Sequence, residues 1–265
     1  MYRFDYQAPE SIEAALAALR ENDESKIVAG GMTLLPTMKL RLARPEVLID
    51  INHIGSLAGI KENEGAILIG AMTRHADVAA SKLVRNCIPG LADLAESIGD
   101  PQVRNRGTIG GSVANNDPAA DYPAGLVGLG ARVVTDRREI AADDFFTGMF
   151  ETALEDDEII TAVHFPIPKR AVYMKFPNPA SRYAIVGVMV AEAPDGIRVA
   201  VTGAASCVFR ATAMEEALGK DFTPDALASI AVDGAQFNED IHASAEFRAH
   251  LVKVMVSRAV AAASS

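Results

Sequence analysis

Asp100-Pro-Gln-Val-Arg-Asn-Arg-Gly-Thr-Ile-Gly-Gly-Ser-Val-Ala-Asn-Asn-Asp-Pro-Ala-Ala-Asp121 is the stretch from which the rest of the chain can be read. It has no long apolar run and no clear helical period, so it reads as loop rather than helix. Gly107, Gly110 and Gly111 permit positive φ and let a ligand approach the backbone. Successive N–H groups in such turns form anion-binding concavities. Thr108, Ile109, Gly110, Gly111 and Ser112 read as a phosphate cradle, with hydroxyls on either side of the glycine pair. Taken alone, the same residues also describe an ordinary surface turn.

A second glycine pair favours the cradle. Val28, Ala29, Gly30, Gly31, Met32, Thr33, Leu34 and Leu35 follow a short apolar segment and precede a helix-like stretch. A diphosphate carries two negative charges, and two nests from distant parts of a chain suit it better than one. Neither nest fits Gly-x-Gly-x-x-Gly or Gly-x-x-x-x-Gly-Lys-Ser/Thr, which disfavours a Rossmann dinucleotide fold and a P-loop.

Working outward, Ser11 caps a helix to Arg20, Lys26–Ala29 and Val47–Ile51 read as strands, and Leu34–Leu42 reads as a helix that tolerates Pro36 near its start. Ala66–Ala71 is a strand, Ala76–Ala80 a helix flanked by Thr73 and Asp77, and Ile88–Ile98 a further helix. A short helix follows near Pro123–Leu129. Arg132–Thr135 and Glu139–Ala142 form a hairpin, and Glu158–Pro166 is a strand. Pro166 and Pro168 mark a domain boundary. Beyond it come strands at Tyr173–Phe176, Ala184–Ala193 and Arg198–Ala204. Helices are expected at Ala211–Leu218, at Pro224–Val232 behind a Thr223 cap, and at Ser244–Ala263, ending in a frayed Ala/Ser tail.

The formal net charge of −10 argues against nucleic acid or an anionic membrane as partner. Cys87 and Cys207 are isolated, giving no disulfide framework and no zinc or iron–sulfur pattern. His53, His75, His164, His242 and His250 show no metal-ligand spacing and read as structural or surface residues. Asp143-Asp144 and Asp156-Asp157 read as caps or solvated faces. No signal peptide is visible, and no apolar run reaches the about 18 residues needed to span a bilayer, so a soluble cytoplasmic protein is expected. No nucleophile-and-base set stands out, so the chemistry would belong to a cofactor. Asp121 either accepts a bond from a polyol or ribose hydroxyl of that cofactor or caps the helix that follows it.

Ala29 to Pro36 with Lys39 to Ala43 resembles the first FAD signature of the medium flavoprotein subunits of molybdenum hydroxylases. These include aerobic carbon monoxide dehydrogenase and the FAD domain of xanthine dehydrogenase. Gly99 to Ser112, continuing through Asn115 to Asp121, is similar to the second signature, and Pro179 to Ala184 to the start of the family's C-terminal domain. The resemblance implies an α+β protein with an FAD-binding (PCMH-type) fold of the vanillyl-alcohol-oxidase kind over residues 1–168, in subdomains of about 1–55 and 56–168. A C-terminal domain with a small antiparallel sheet and helices would fill 169–265. It implies non-covalent FAD, with Val28 to Leu35 and Thr108 to Ser112 around the diphosphate and Asp121 on hydroxyls. Thr73, Ile98, Ile160 and Lys175 would touch FAD as well, Lys175 as a cation near the flavin ring and Tyr183 as an aromatic beside it. Relatives often carry His-Ser where this chain has Met32-Thr33; Thr keeps a hydroxyl, and Met removes a polar donor.

The resemblance further implies a large molybdenum-cofactor (molybdopterin) subunit and a small subunit with two 2Fe-2S clusters, in a dimer of heterotrimers. This complex would be cytoplasmic, able to lie at the inner face of the membrane, and of the carbon monoxide dehydrogenase type or a related aldehyde or heteroaromatic hydroxylase. Electrons would pass from the clusters through FAD to an external acceptor: a quinone, NAD or oxygen. The rival readings are a self-contained flavin oxidase and a non-redox nucleotide-binding module.

Overall fold

Ser11 accepts a hydrogen bond from the Ala14 N–H at 3.1 Å and so starts the first helix of the computed structural model, which describes residues 1–264. Strands β1 (Asp5–Gln7), β2 (Ser25–Val28) and β3 (Val47–Asp50) form a parallel sheet in the order β1-β3-β2, with helices α1 (Ile12–Glu21) and α2 (Leu34–Lys39) in the connections. Parallel neighbours need such crossovers. Ala15, Ala18, Ile49 and Leu57 pack beneath them. Residues 29–33 thus leave the C-terminal end of a parallel strand, where ligands of open α/β sheets gather.

The second unit is an antiparallel sheet in the order β4-β5-β10-β6-β7, from β4 (Ile60–Asn63), β5 (Ala66–Gly70), β6 (Arg132–Thr135), β7 (Glu139–Ala141) and β10 (Ile160–Pro166). Helices α3 (His75–Ala80), α4 (Lys82–Cys87), α5 (Pro89–Ser97), α6 (Pro101–Arg106), α7 (Ile109–Asn115) and α8 (Tyr122–Gly128) precede β6. Ile67, Ile69, Leu91, Leu94, Tyr122 and Phe165 fill the core between sheet and helices. Helix α9 (Ala142–Phe145) and the hairpin β8 (Phe146–Gly148) with β9 (Glu151–Thr152) complete it. The stretch 100–121 is not a plain loop: α6 and α7 are single short helices, each set by a local cap. Asp100 accepts from the Val103 N–H at 2.9 Å and Thr108 from the Gly111 N–H at 3.2 Å. Helices of six and seven residues are too short to display a period. The same shortness hides α4, which Ser81 caps.

The third unit is the antiparallel sheet β11 (Arg170–Pro177), β12 (Ala184–Ala193), β13 (Gly196–Thr202) and β14 (Phe209–Arg210). Strand β12 is buried almost throughout because α8 packs against it as well as the long helix α11 (Ala245–Ala263). Helix α10 (Thr212–Lys220) lies on β13. The expected helix at Pro224–Val232 is only a 3-10 turn, Pro224–Leu227, behind the Thr223 cap. The backbone keeps the tighter i→i−3 pattern there, with the Ala228 N–H donating to the Asp225 carbonyl at 3.0 Å and the Ile230 N–H to the Leu227 carbonyl at 3.1 Å. The tail is not frayed through Ser264: buried Ala259 and Val260 hold α11, and the Ser264 hydroxyl donates to the Val260 carbonyl at 2.9 Å. Ser265 lies outside the described residues.

Buried Glu158 ties the β6–β7 hairpin to the start of β10. It accepts from Thr135 Oγ1 at 2.7 Å, from Arg138 Nε at 2.8 Å and Nη2 at 2.7 Å, and from the Glu155 N–H at 3.0 Å. The Arg138 bonds, against the cost of burial, hold its carboxyl down to about 2. A depressed carboxyl adds stability above the usual glutamate range and loses it as pH falls through the folded value. Glu158→Gln is therefore expected to cost about 1–3 kcal/mol in urea unfolding at neutral pH. The gap from wild type should close as pH falls toward about 2; a gap independent of pH would show that the charge is not what stabilises the hairpin.

Candidate functional site

The two glycine pairs meet. A Cβ on Gly30 would lie 2.1 Å from the Arg106 carbonyl oxygen and 2.9 Å from the Gly107 Cα, so the backbones of the two loops touch where only glycine fits. Gly31 has φ +74, the left-handed conformation that turns successive N–H groups toward one side.

A polar clamp holds this contact. Asn52 donates from Nδ2 to the Ala29 carbonyl at 2.7 Å and accepts at Oδ1 from Arg74 Nη2 at 2.7 Å. Arg74 Nη1 donates in turn to the Arg106 carbonyl. Asp50 fixes Asn52 by accepting from its N–H at 2.9 Å. The two cradles are therefore joined through carbonyls, by side chains that no sequence motif singles out. Arg74 also pairs with Thr108 in an isolated β-bridge, and the His75 N–H donates to the Gly107 carbonyl at 3.1 Å.

The loops differ in what they leave free. Ile109 N–H donates to Thr73 O at 3.1 Å, Gly110 to Ala71 O at 2.8 Å, Gly111 to Thr108 Oγ1 at 3.2 Å and Ser112 to Thr108 O at 3.1 Å. Among the described residues, the N–H groups of Gly30, Gly31, Met32 and Thr33 donate to no protein group. Four adjacent unspent donors around a left-handed glycine make an anion nest.

Both loops open on a cavity of ≈ 730 Å³. Val28 through Leu34 line it, as do Thr108, Gly110, Gly111 and Ser112, together with Ile98, Asp121, Ile160 and Tyr183. The other candidates stand outside it. Leu35 packs against Gly31, and Ile109 is buried in the core. The Thr73 hydroxyl accepts from the Gly59 N–H at 3.0 Å and donates to its carbonyl at 3.1 Å. The Lys175 side chain is buried and has no donor to spare: an ammonium has three N–H groups, and its Nζ donates to Ser97 O at 2.8 Å, Arg182 O at 3.0 Å and the Asp121 carboxylate at 2.9 Å.

Asp121 makes no capping bond to the helix that follows it. Its carboxylate takes Lys175 and the Tyr173 hydroxyl instead. Burial pushes the Asp121 carboxyl up, opposed by Lys175 and by the Tyr173 bond. The cavity wall contains one residue that sequence reasoning assigned to structure: His75, pushed down to about 4 by burial and by the charges of Arg104 and Arg74, and therefore neutral at pH 7. Asn52 and Arg74 were missed because their partners are backbone carbonyls far away in sequence, which leave no pattern.

The sequence pattern of the FAD binding domain in molybdopterin dehydrogenase matches residues 2–168, and that of the CO dehydrogenase flavoprotein C-terminal domain matches residues 171–263. The chain belongs to the FAD-binding medium subunits of the molybdenum hydroxylases. It is 38% identical to the carbon monoxide dehydrogenase medium chain of Hydrogenophaga pseudoflava, over 98% of this chain and 97% of that one. It is 36% identical to the nicotine 6-hydroxylase medium subunit of Paenarthrobacter nicotinovorans, over 96% and 95%. Its structure superposes on that of the H. pseudoflava carbon monoxide dehydrogenase lacking the Mo-pyranopterin moiety with a TM-score of 0.90, at 39% identity, covering 99% and 97% of the chains. As a medium subunit it is an oxidoreductase component with the expected α+β FAD-binding fold. The site fits a flavin dinucleotide on its own terms: a glycine-only backbone contact, four unspent N–H donors for a diphosphate, and a cavity to match.

Two outcomes follow for this medium subunit. Gly30→Ala should abolish FAD retention, read as absorbance near ~450 nm per chain, with the far-UV spectrum unchanged, because its Cβ forces the loops apart. Retention of full flavin would show that the contact is dispensable. Arg74→Ala should weaken FAD about 10- to 100-fold in a fluorescence titration, from the loss of two bonds to the clamp. Combining it with Asn52→Ala should add little further, whereas additive losses would mean that the two residues act separately.

Proposed function

We propose that this subunit carries electrons from the 2Fe-2S clusters of a small partner subunit through FAD to an external acceptor: a quinone, NAD or oxygen. In this reading a large subunit holds the molybdenum cofactor and sets the substrate, and the assembly is a dimer of heterotrimers. Residues 1–168 act as the flavin-holding part, in subdomains of about 1–55 and 56–168, and residues 169–265 as a C-terminal part that closes the cavity through Tyr183. The assembly works in the cytoplasm, where it can lie at the inner face of the membrane. No helix among the described residues is long and apolar enough to cross a membrane.

The observation that carries the reading is the nest of unspent N–H groups at Gly30 to Thr33, beside the cavity. These groups would hold the diphosphate, with the Thr108 and Ser112 hydroxyls at the second loop. Bound FAD supplies the ability to take electrons one at a time and release them as a pair. The chain itself binds and orients. Ile98, Ile160 and Ala71 exclude water from the cavity wall. Lys175 and Asp121 neutralise each other, so Asp121 meets the ligand as one member of an ion pair. No side chain has to move a proton. Among the described residues no group of three His, Cys, Asp or Glu side chains could hold a metal ion, and the reading draws its metal centres from the other subunits.

The purified chain should be yellow, with bands near ~370 and ~450 nm, and acid should release intact FAD. Co-expressed with molybdenum and iron–sulfur subunits it should co-purify with them, and its flavin should be reduced on addition of the complex's substrate. Turnover of a small alcohol by the chain alone would replace this reading with a self-contained oxidase.

A further inference from the structure

A second cavity, of ≈ 450 Å³, adjoins the first. Asp117, Phe150, Ser181 and Tyr183 line both, so a single layer of side chains divides them. Tyr183, with Phe150 one of the two aromatic residues in this layer, stands at the end of a tight turn. Asn178 Oδ1 accepts from the N–H groups of Ala180 at 2.9 Å and Ser181 at 3.1 Å, and Lys175 Nζ fixes the Arg182 carbonyl at 3.0 Å. Arg182 itself is left-handed at φ +62. The base of the turn is thus tied down, while the Tyr183 hydroxyl makes no bond to any described protein group.

We propose that this second cavity receives the external electron acceptor, and that the acceptor is an uncharged quinone rather than a dinucleotide; the proposal rests on the electron-transfer reading above. Position argues for an acceptor, because a molecule in the second cavity is one aromatic side chain away from the flavin cavity. Charge selects its class. Asp117, Glu239 and Asp240 line the second cavity, three carboxylates against one cation, Arg248, whose Nε alone lacks a partner. Its guanidinium donates to Ile185 O at 2.7 Å, Gly203 O at 2.9 Å and Asp240 at 2.8 Å. A diphosphate would meet three carboxylates against one guanidinium that is already ion-paired to Asp240, so the balance of charge at the cavity is negative. A quinone needs only apolar faces, which Phe150, Tyr183 and Ile185 offer, and a donor at each carbonyl. The Ser181 hydroxyl and the His242 ring, neither of which donates to a described protein group, can serve. In the transfer, the quinone gains two electrons and two protons and leaves as the quinol. The reduced FAD gives up the electron pair and returns to its oxidised form, and the protons come from the flavin N–H groups and solvent.

The test uses the full chain with its FAD, reduced photochemically under argon and mixed in stopped flow with a short-chain ubiquinone analogue or with NAD+. The quinone should reoxidise the flavin and NAD+ should not. His242 is exposed and outside the flavin cavity. His242→Trp should fill the second cavity from its rim, slowing reoxidation by quinone about tenfold or more, with FAD content and spectrum unchanged. It should also raise, by about tenfold, the quinone Kd read from quenching of flavin fluorescence in the oxidised chain. Glu239→Lys, also at an exposed position, should speed reoxidation by a sulfonated, anionic quinone without changing that by the neutral one. Unchanged rate and Kd in His242→Trp, or NAD+ reacting as fast as quinone, would overturn the proposal. A chain colourless before mixing, with or without added FAD, would bring down the electron-transfer reading first, and the proposal with it.

Discussion

The contact between Gly30 and the Arg106–Gly107 backbone is the constraint on which the rest of the site depends. Residues 29–33 belong to a parallel sheet, and Arg106 and Gly107 to the helices covering an antiparallel one. Two units with separate cores are brought to backbone distance at a point where a single methyl group would not fit. A contact of that kind buries polar backbone and must pay for it with hydrogen bonds. Asn52 and Arg74 satisfy the Ala29 and Arg106 carbonyls, and Asp50 orients Asn52. The chain of bonds runs from β3 through the short turn Ile51–His53 to the entry of α3, so the frame of both units fixes the loops.

A second junction ties in the third unit. Asp121 and Tyr173 are buried with the side chain of Lys175, which reaches the end of α5, the start of α8 and the Tyr183 turn. Buried ions are tolerated only when fully paired, and removing one partner leaves a charge stranded. The pairing here uses every donor of the ammonium and bonds to both carboxylate oxygens. Sequence resemblance would give Lys175 to the ligand. The bonding gives it to the scaffold that carries Tyr183, and so its influence on the cavity passes through the placement of that turn.

What could be read from sequence follows from how local each signal is. The Ser11 cap, the β6–β7 hairpin and the long helix α11 rest on partners within a few residues, and they fold as read. Helices α4, α6 and α7 escape because one or two turns cannot show periodicity, although their caps Ser81, Asp100 and Thr108 stand in the sequence. At the site, both glycine pairs are legible as nests, yet they look alike. Only the fold reveals that the carbonyls of Ala71 and Thr73, in the turn between β5 and α3, consume N–H groups of the second loop from far away in sequence. The clamp is illegible for the same reason: Asn52 and Arg74 act on carbonyls, which every residue has.

This division of labour answers a difficulty set by charge. The chain carries a net −10, so its long-range field repels an anionic ligand, and attraction has to come from dipoles fixed at short range. Mobile N–H groups would lose that advantage to ordering entropy on binding, whereas held ones do not. One loop therefore serves as scaffold, its donors spent on Ala71, Thr73 and Thr108, and gives the other a rigid surface to lean on. The other keeps four donors unspent and aligned by Gly31. Since the donors sit on the first unit and their support on the second, a ligand that binds the nest also favours the docked arrangement of the two units over any separated one. Binding at the nest and the docking of the two units would thus be one equilibrium, linked through the Gly30 contact.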